Sequence, residues 1–191
     1  MDDEYLMLDC PEPWDWDDSA LLEATPLPAG EKSWRLGRRF AAPVAEPIAI
    51  AIDPTHSDAL LELYTIDALV MTRRLLTALG EAGVDNLDAY TAVIRNPKSG
   101  FATDDYVAVN LIGLVRAADL DRSNVVGGSS DGLIDVDFDG VAIDPARALG
   151  LPMFRLAENT SAVVVHRRVA RHLIGAGFDM LTFRPPSRWK G

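Results

Sequence analysis

The run YVAVNLI, residues 106–112, constrains the fold more than any other stretch of this chain. Apart from Asn110 it is apolar at consecutive positions, so in an extended chain both of its faces need a cover. That is the pattern of a central strand with packed layers on either side. The chain has 191 residues and 48% hydrophobic content, enough to bury a proper core as one domain. Asn110 is the exception inside the run. A buried amide must find partners, so it is expected to tie this strand to a neighbouring loop. Gly113 closes the run, and the Asp119, Asp121 and Ser123 group that follows reads as Asx-type turns, in which short polar side chains fold the chain onto its own backbone.

The flanking segments fix the fold class. Residues 5–9 (YLMLD), 47–53 (PIAIAID) and 87–95 (LDAYTAVIR) read as strands. Asn96, Pro97, Ser99 and Gly100 supply a turn between the last of these and the next segment. The stretch LIDVDFDGVAID alternates, with Ile134, Val136 and Phe138 on one face and Asp135, Asp137 and Asp139 on the other, as in a strand with one wet face. PMFRLAENTSAVVVH reads as two strands around an Asn159–Ser161 turn, and FDMLTFRP as a closing strand before a Pro-rich basic tail. Two principal helices are expected, over about residues 67–82 and 167–176. The first has Asp67 as N-cap, Ala68, Met71, Leu75, Ala78 and Leu79 on its buried face, and Gly83 at its end. The second buries Val169, Ala170, Leu173 and Ile174 and ends at Gly177. Many strands with two dispersed helices and no regular βαβ rhythm predict an α+β fold with mostly antiparallel sheet. Residues 1–40 read as an acidic, Trp- and Pro-containing N-terminal arm, and 41–191 as a single α+β domain.

Charge narrows the function. The formal net charge is −11, and it is unevenly spread: residues 1–30 hold nine acids and no Lys or Arg, whereas residues 151–191 hold two acids and seven bases. An acidic body repels phosphate, which argues against direct nucleic-acid binding and suits a basic partner. In PEPWDWDD, Trp14 and Trp16 lie on one side of an extended chain with Asp15 and Asp17 on the other, followed by Asp18; the segment is either a solvated acidic tail or a docking element. MDDEYLMLD lacks the basic region and apolar core of a secretory signal, and no run reaches the ~18 apolar residues of a membrane helix, so a cytoplasmic protein is expected. Cys10 stands alone, which excludes a disulfide framework and a thiolate metal site.

No motif points firmly to catalysis. GSSDG, residues 128–132, matches G-x-S-x-G with Ser130 as nucleophile, and Asp144 with His166 or His172 follows in the hydrolase order. A nucleophile elbow needs a strand before the serine and a helix straight after it, whereas here a Gly-rich loop precedes and a strand follows. A serine hydrolase using Ser130 therefore stands as the alternative reading. DVDFDG, residues 135–140, copies the opening of a calcium loop, yet the position of the bidentate Glu is Ala146, so no metal is expected. His166 and His172 are six apart, which does not align two ligands on one helical face. Arg167, Arg168 and Arg171 give the last helix a basic outer face. No cofactor fingerprint occurs.

Beyond these local readings, DYVAVNLIGLVRAADLDRS followed by MFRLAENTSAVVVHRRVARHLIGAGFDMLTFRP resembles the C-terminal half of the immunity-protein family eleven of bacterial polymorphic toxin systems, whose type member comes from Myxococcus. The pattern is a Tyr-x-x-x-Asn strand, an Asp-rich turn ending in Ser, a Phe-Arg-Leu strand, a hairpin, a helix and a closing strand. It falls here on Tyr106, Asn110, Asp119, Asp121 and Ser123, then Phe154, Arg155 and Leu156, then Val165, Gly177 and Phe183, and it spans residues 67–185. The resemblance implies a non-catalytic, antitoxin-like protein that binds and silences a cognate toxin, often a nuclease in that family. Under that implication Trp14, Asp15, Trp16, Asp17, Asp18, Asp135, Asp137 and Asp139 are the partner-binding candidates. The family-signature positions are expected to be structural. An interaction protein without a toxin partner is the remaining alternative.

Overall fold

A computed structural model of the chain describes residues 3–10, 19–65, 67–127 and 136–191. These form an α+β fold that is mostly sheet, with predominantly antiparallel pairing. The strands are β1 (Tyr5–Asp9), β2 (Ile48–Ala51), β3 (Leu63–Tyr64), β4 (Leu69–Thr72), β5 (Leu87–Arg95), β6 (Ala102–Leu111), β7 (Leu114–Val115), β8 (Val125–Gly127), β9 (Asp137–Phe138), β10 (Met153–Leu156), β11 (Val163–His166) and β12 (Thr182–Arg184). Helix α1 (Arg73–Glu81) follows β4 directly, and α2 (Arg167–Gly175) follows β11 in the same way.

Two five-stranded sheets organise the molecule, in the orders β12-β1-β11-β10-β7 and β2-β5-β6-β4-β3. Parallel pairing occurs at one edge of each, β10 with β7 and β2 with β5. Alternation along the central strands explains why both faces of each sheet are covered. On β6, Val107, Val109 and Leu111 enter a core shared by the two sheets and both helices, whereas Tyr106 and Ala108 enter a second core with Trp34, Ile50 and Ile94. On β11, Val163 and Val165 face the shared core, whereas Val164 joins Tyr5, Phe138, Phe154 and Trp189 in a third. The doubly apolar run of residues 106–112 is therefore the spine of one sheet, with a core on each side. Asn86 bridges the two sheets: its Nδ2 donates to the carbonyl of Ile112 at 2.5 Å and to that of Met153 at 2.8 Å.

Four expectations change. The first helix begins at Arg73, because Leu69, Val70 and Met71 are buried in succession, with Leu69 and Met71 in the shared core and Val70 in the second. Only an extended chain does that, and β4 pairs with β6 in register Leu69↔Val109. The cap is Thr72, whose Oγ1 accepts from the Leu75 N–H at 3.1 Å, in place of Asp67. Ile174 is 58% exposed, since Val169, Ala170 and Leu173 already fill the contact face of α2. The stretch read as an alternating strand is reduced, among the described residues, to the two residues of β9, which pair with β8; Asp135 lies outside them. Finally, the described residues of the stretch read as an N-terminal arm pack into the body. β1 is an interior strand flanked by β11 and β12, and Trp34 is 1% exposed in the second core.

Candidate functional site

The signature positions are occupied by the fold itself. The Tyr106 hydroxyl donates to the Leu61 carbonyl at 2.9 Å, and burial raises its pKa well above the ordinary phenol range. Asn110, fully buried, donates from Nδ2 to the Arg38 carbonyl at 2.8 Å and so ties β6 to the loop before β2. The Asp-rich turn is held by its serine: Ser123 Oγ donates to the Asp119 carbonyl at 2.6 Å and accepts from the Ala142 N–H at 2.9 Å. The Asp119 carboxylate instead faces Arg122 at 3.7 Å, and Asp121 is exposed on the short 3-10 turn. Phe154 and Leu156 fill the third core, and Phe183, on β12, packs against the shared one.

Arg155 differs from its neighbours. It is 0% exposed, Nη1 donates to the Thr160 carbonyl at 2.9 Å, and Nε and Nη2 have no hydrogen-bond partner among the described residues. Burial, assisted by the nearby charge of Arg35, brings its pKa down to about 10. Glu158 is a second buried charged residue, and desolvation raises its pKa above the usual carboxylate range.

Of the partner-binding candidates, Trp14, Asp15, Trp16, Asp17, Asp18 and Asp135 lie outside the described residues. Asp137 and Asp139 are both exposed on or next to β9, and Asp139 Oδ1 lies 2.8 Å from Lys190 Nζ. Asp139 also borders a crevice of about 550 Å³ over the third core. Asp3, Glu4, Tyr5, Arg122 and Ser187 line the same crevice. Three acidic residues and one arginine thus border it, from segments far apart in sequence. The N-terminal pair was invisible to sequence reasoning, because the register that carries Asp3 and Glu4 to this place is set by β1 pairing with β11. Tyr5, beneath, has its pKa raised by burial and then by the Glu4 carboxylate, with Arg168 acting in the opposite sense.

The hydrolase reading falls partly outside the described residues, since Ser130 lies there. Its proposed partners are engaged elsewhere. Asp144 accepts from the Ala146 N–H at 3.0 Å and faces Arg147 at 3.2 Å, whereas His172 faces Glu81 at 3.6 Å. His166 accepts a backbone hydrogen bond at Nδ1 and faces Glu4 through Nε2. Among the described residues no hydrogen bond joins Asp144 to either histidine, and no group of three or more His, Cys, Asp or Glu side chains is placed to hold a metal ion. Nor is any helix among them long and apolar enough to cross a membrane. No family model matches the chain, and no curated protein does.

Proposed function

We propose that this chain is a non-catalytic binding protein of the immunity type, which neutralises a cognate bacterial toxin by occluding a basic surface on it. The observation that carries the reading is the charge distribution. A chain of net charge −11 gathers Asp3, Glu4 and Asp139 around one open crevice, with Asp137 exposed nearby. A nuclease presents Lys and Arg to phosphate, and a clustered acidic surface competes for that ground with electrostatically steered association. The polar signature residues support a scaffold role, because Tyr106, Asn110 and Ser123 spend their hydrogen bonds on the chain's own backbone. Trp14, Asp15, Trp16, Asp17 and Asp18 extend the same acidic character, with two aromatic anchors, and are the further contacts of this reading. A cytoplasmic site of action follows from it.

Co-expression of the chain with the product of the adjacent gene, followed by pull-down, tests the proposal. Rescue of growth and a complex whose association rate falls steeply with added salt are expected, and Ser130→Ala is expected to leave rescue intact. Absence of both binding and protection would overturn the toxin reading. Turnover of an ester substrate that disappears in Ser130→Ala would favour the hydrolase instead.

A further inference from the structure

His166 closes β11 and opens α2. Its backbone is extended (φ −66°, ψ 142°), and its Nδ1 accepts a hydrogen bond from the Arg168 backbone N–H at 3.0 Å, so the imidazole is the N-cap of the helix. A ring nitrogen that accepts carries no proton. The neutral ring must then hold its proton on Nε2, which lies 3.5 Å from Glu4 Oε1. Nδ1 is thus committed to the helix, and the ring stands edge-on to Tyr5 at 5.3 Å between centroids and 85°. The same place fastens β1 to the helix, because the Arg167 N–H donates to the Glu4 carbonyl at 2.8 Å.

We propose that His166 is an acid-sensitive cap, whose protonation unties the first turn of α2 and loosens its junction with β1. The second proton has only Nδ1 to occupy, where it would confront the Arg168 N–H, donor against donor. It also places a positive charge at a helix N-terminus, which already carries the positive end of the macrodipole. Among the described residues, the titratable and charged residues around the ring are Glu4 from the chain entering β1, Tyr5 from β1, and Arg167 and Arg168, the next two residues, from α2. Glu4 is half exposed, and exposed pairs of this kind contribute little to stability. The other histidines differ: His56 lies 3.7 Å from Asp53 and His172 lies 3.6 Å from Glu81, and neither caps a helix. The inference rests on this local geometry and stands whether or not the chain binds a toxin.

Nitrogen and amide NMR of the full chain, titrated through the range of about pH 8 to 5 in which histidine changes charge, tests it. At the upper end His166 is expected as the Nε2–H tautomer. On acidification the amide protection of Arg167 and Arg168 is expected to fall roughly fivefold to tenfold, the scale of a lost N-cap, while α1 keeps its protection. His166→Asn retains a side-chain acceptor that gains no proton, so in that variant the fall is expected to vanish. A neutral Nδ1–H tautomer in the wild type would overturn the proposal, as would the same fall in wild type and His166→Asn. Should the variant not fold, the wild-type tautomer and the comparison of α2 with α1 decide by themselves.

Discussion

At the scale of single residues, Arg155 is the outlier. Among the described residues, this fully buried guanidinium makes one hydrogen bond and leaves two nitrogens without a partner, so it regains only part of the hydration it gives up. Replacing such a group by an apolar one of similar reach removes the desolvation cost and keeps the packing. Arg155→Met is therefore expected to unfold at the same denaturant concentration as wild type or a higher one, whereas Arg155→Ala, which leaves a cavity, is expected to lose roughly 2–5 kcal/mol. Urea unfolding of both variants checks this, and a large loss in Arg155→Met would mean that the charge itself holds the fold. The tetrapeptide MFRL reads as a strand, but nothing in it assigns the arginine to the interior. That follows only from β10 lying between β11 and β7, with Arg155 paired to Val163 on one side and Leu114 on the other.

At the scale of elements, the β4–α1 junction shows how a local pattern misleads. Ala68, Met71, Leu75 and Ala78 fall at helical spacing, and the same four residues are buried with Ala68 in the bend before β4 and Met71 in the strand itself. What separates the alternatives is Thr72. Its hydroxyl accepts from Leu75 and donates to Glu62 Oε2 at 2.7 Å, and Glu62 Oε1 takes Arg74 at 2.9 Å. Arg74 continues the link, donating to the Ala176 carbonyl at 2.6 Å and lying 4.0 Å over the Phe178 ring, so the cap of α1 is coupled to the end of α2. Thr72→Ala is expected to cost about 1 kcal/mol or somewhat more, and Thr72→Ser to recover most of it, as measured by thermal unfolding. A neutral Thr72→Ala would show that packing alone places the helix start. The second helix was legible almost to the residue, because Arg167–Gly175 is short, strongly two-faced and followed by Gly177 at φ +76°, where glycine is favoured.

At the scale of the molecule, the two ends of the chain meet in one sheet. β1 pairs with β12 in register Leu8↔Phe183 and with β11 in register Leu6↔Val165, and Trp189 is buried in the third core beside Phe138. Removing residues 1–9 would open two strand edges and take Tyr5, Met7 and Leu8 from two cores. Loss of cooperative unfolding and of the near-ultraviolet circular dichroism of the core aromatics is expected from that deletion; a deletion variant that still unfolds cooperatively would make β1 an accessory. The acidic composition of residues 1–30 concealed this role, since charge describes the exposed side chains of a strand and says nothing of the face it buries.

What the sequence determined by itself was local and periodic: a strand covered on both faces at residues 106–112, further strands, two helices among them, an acidic body, and thus an α+β fold with mostly antiparallel sheet. Alternation and capping are properties of neighbours along the chain, so they can be read in order. The tertiary structure alone decided that the first strand sits between two of the last, that Asp3, Glu4 and Asp139 share a crevice, that Arg155 is interior and that His166 caps α2 beside Glu4. Each of those depends on which distant segments pair and in what register. Pairing is chosen by the joint burial of side chains from separate segments of the chain, a quantity that no single stretch contains.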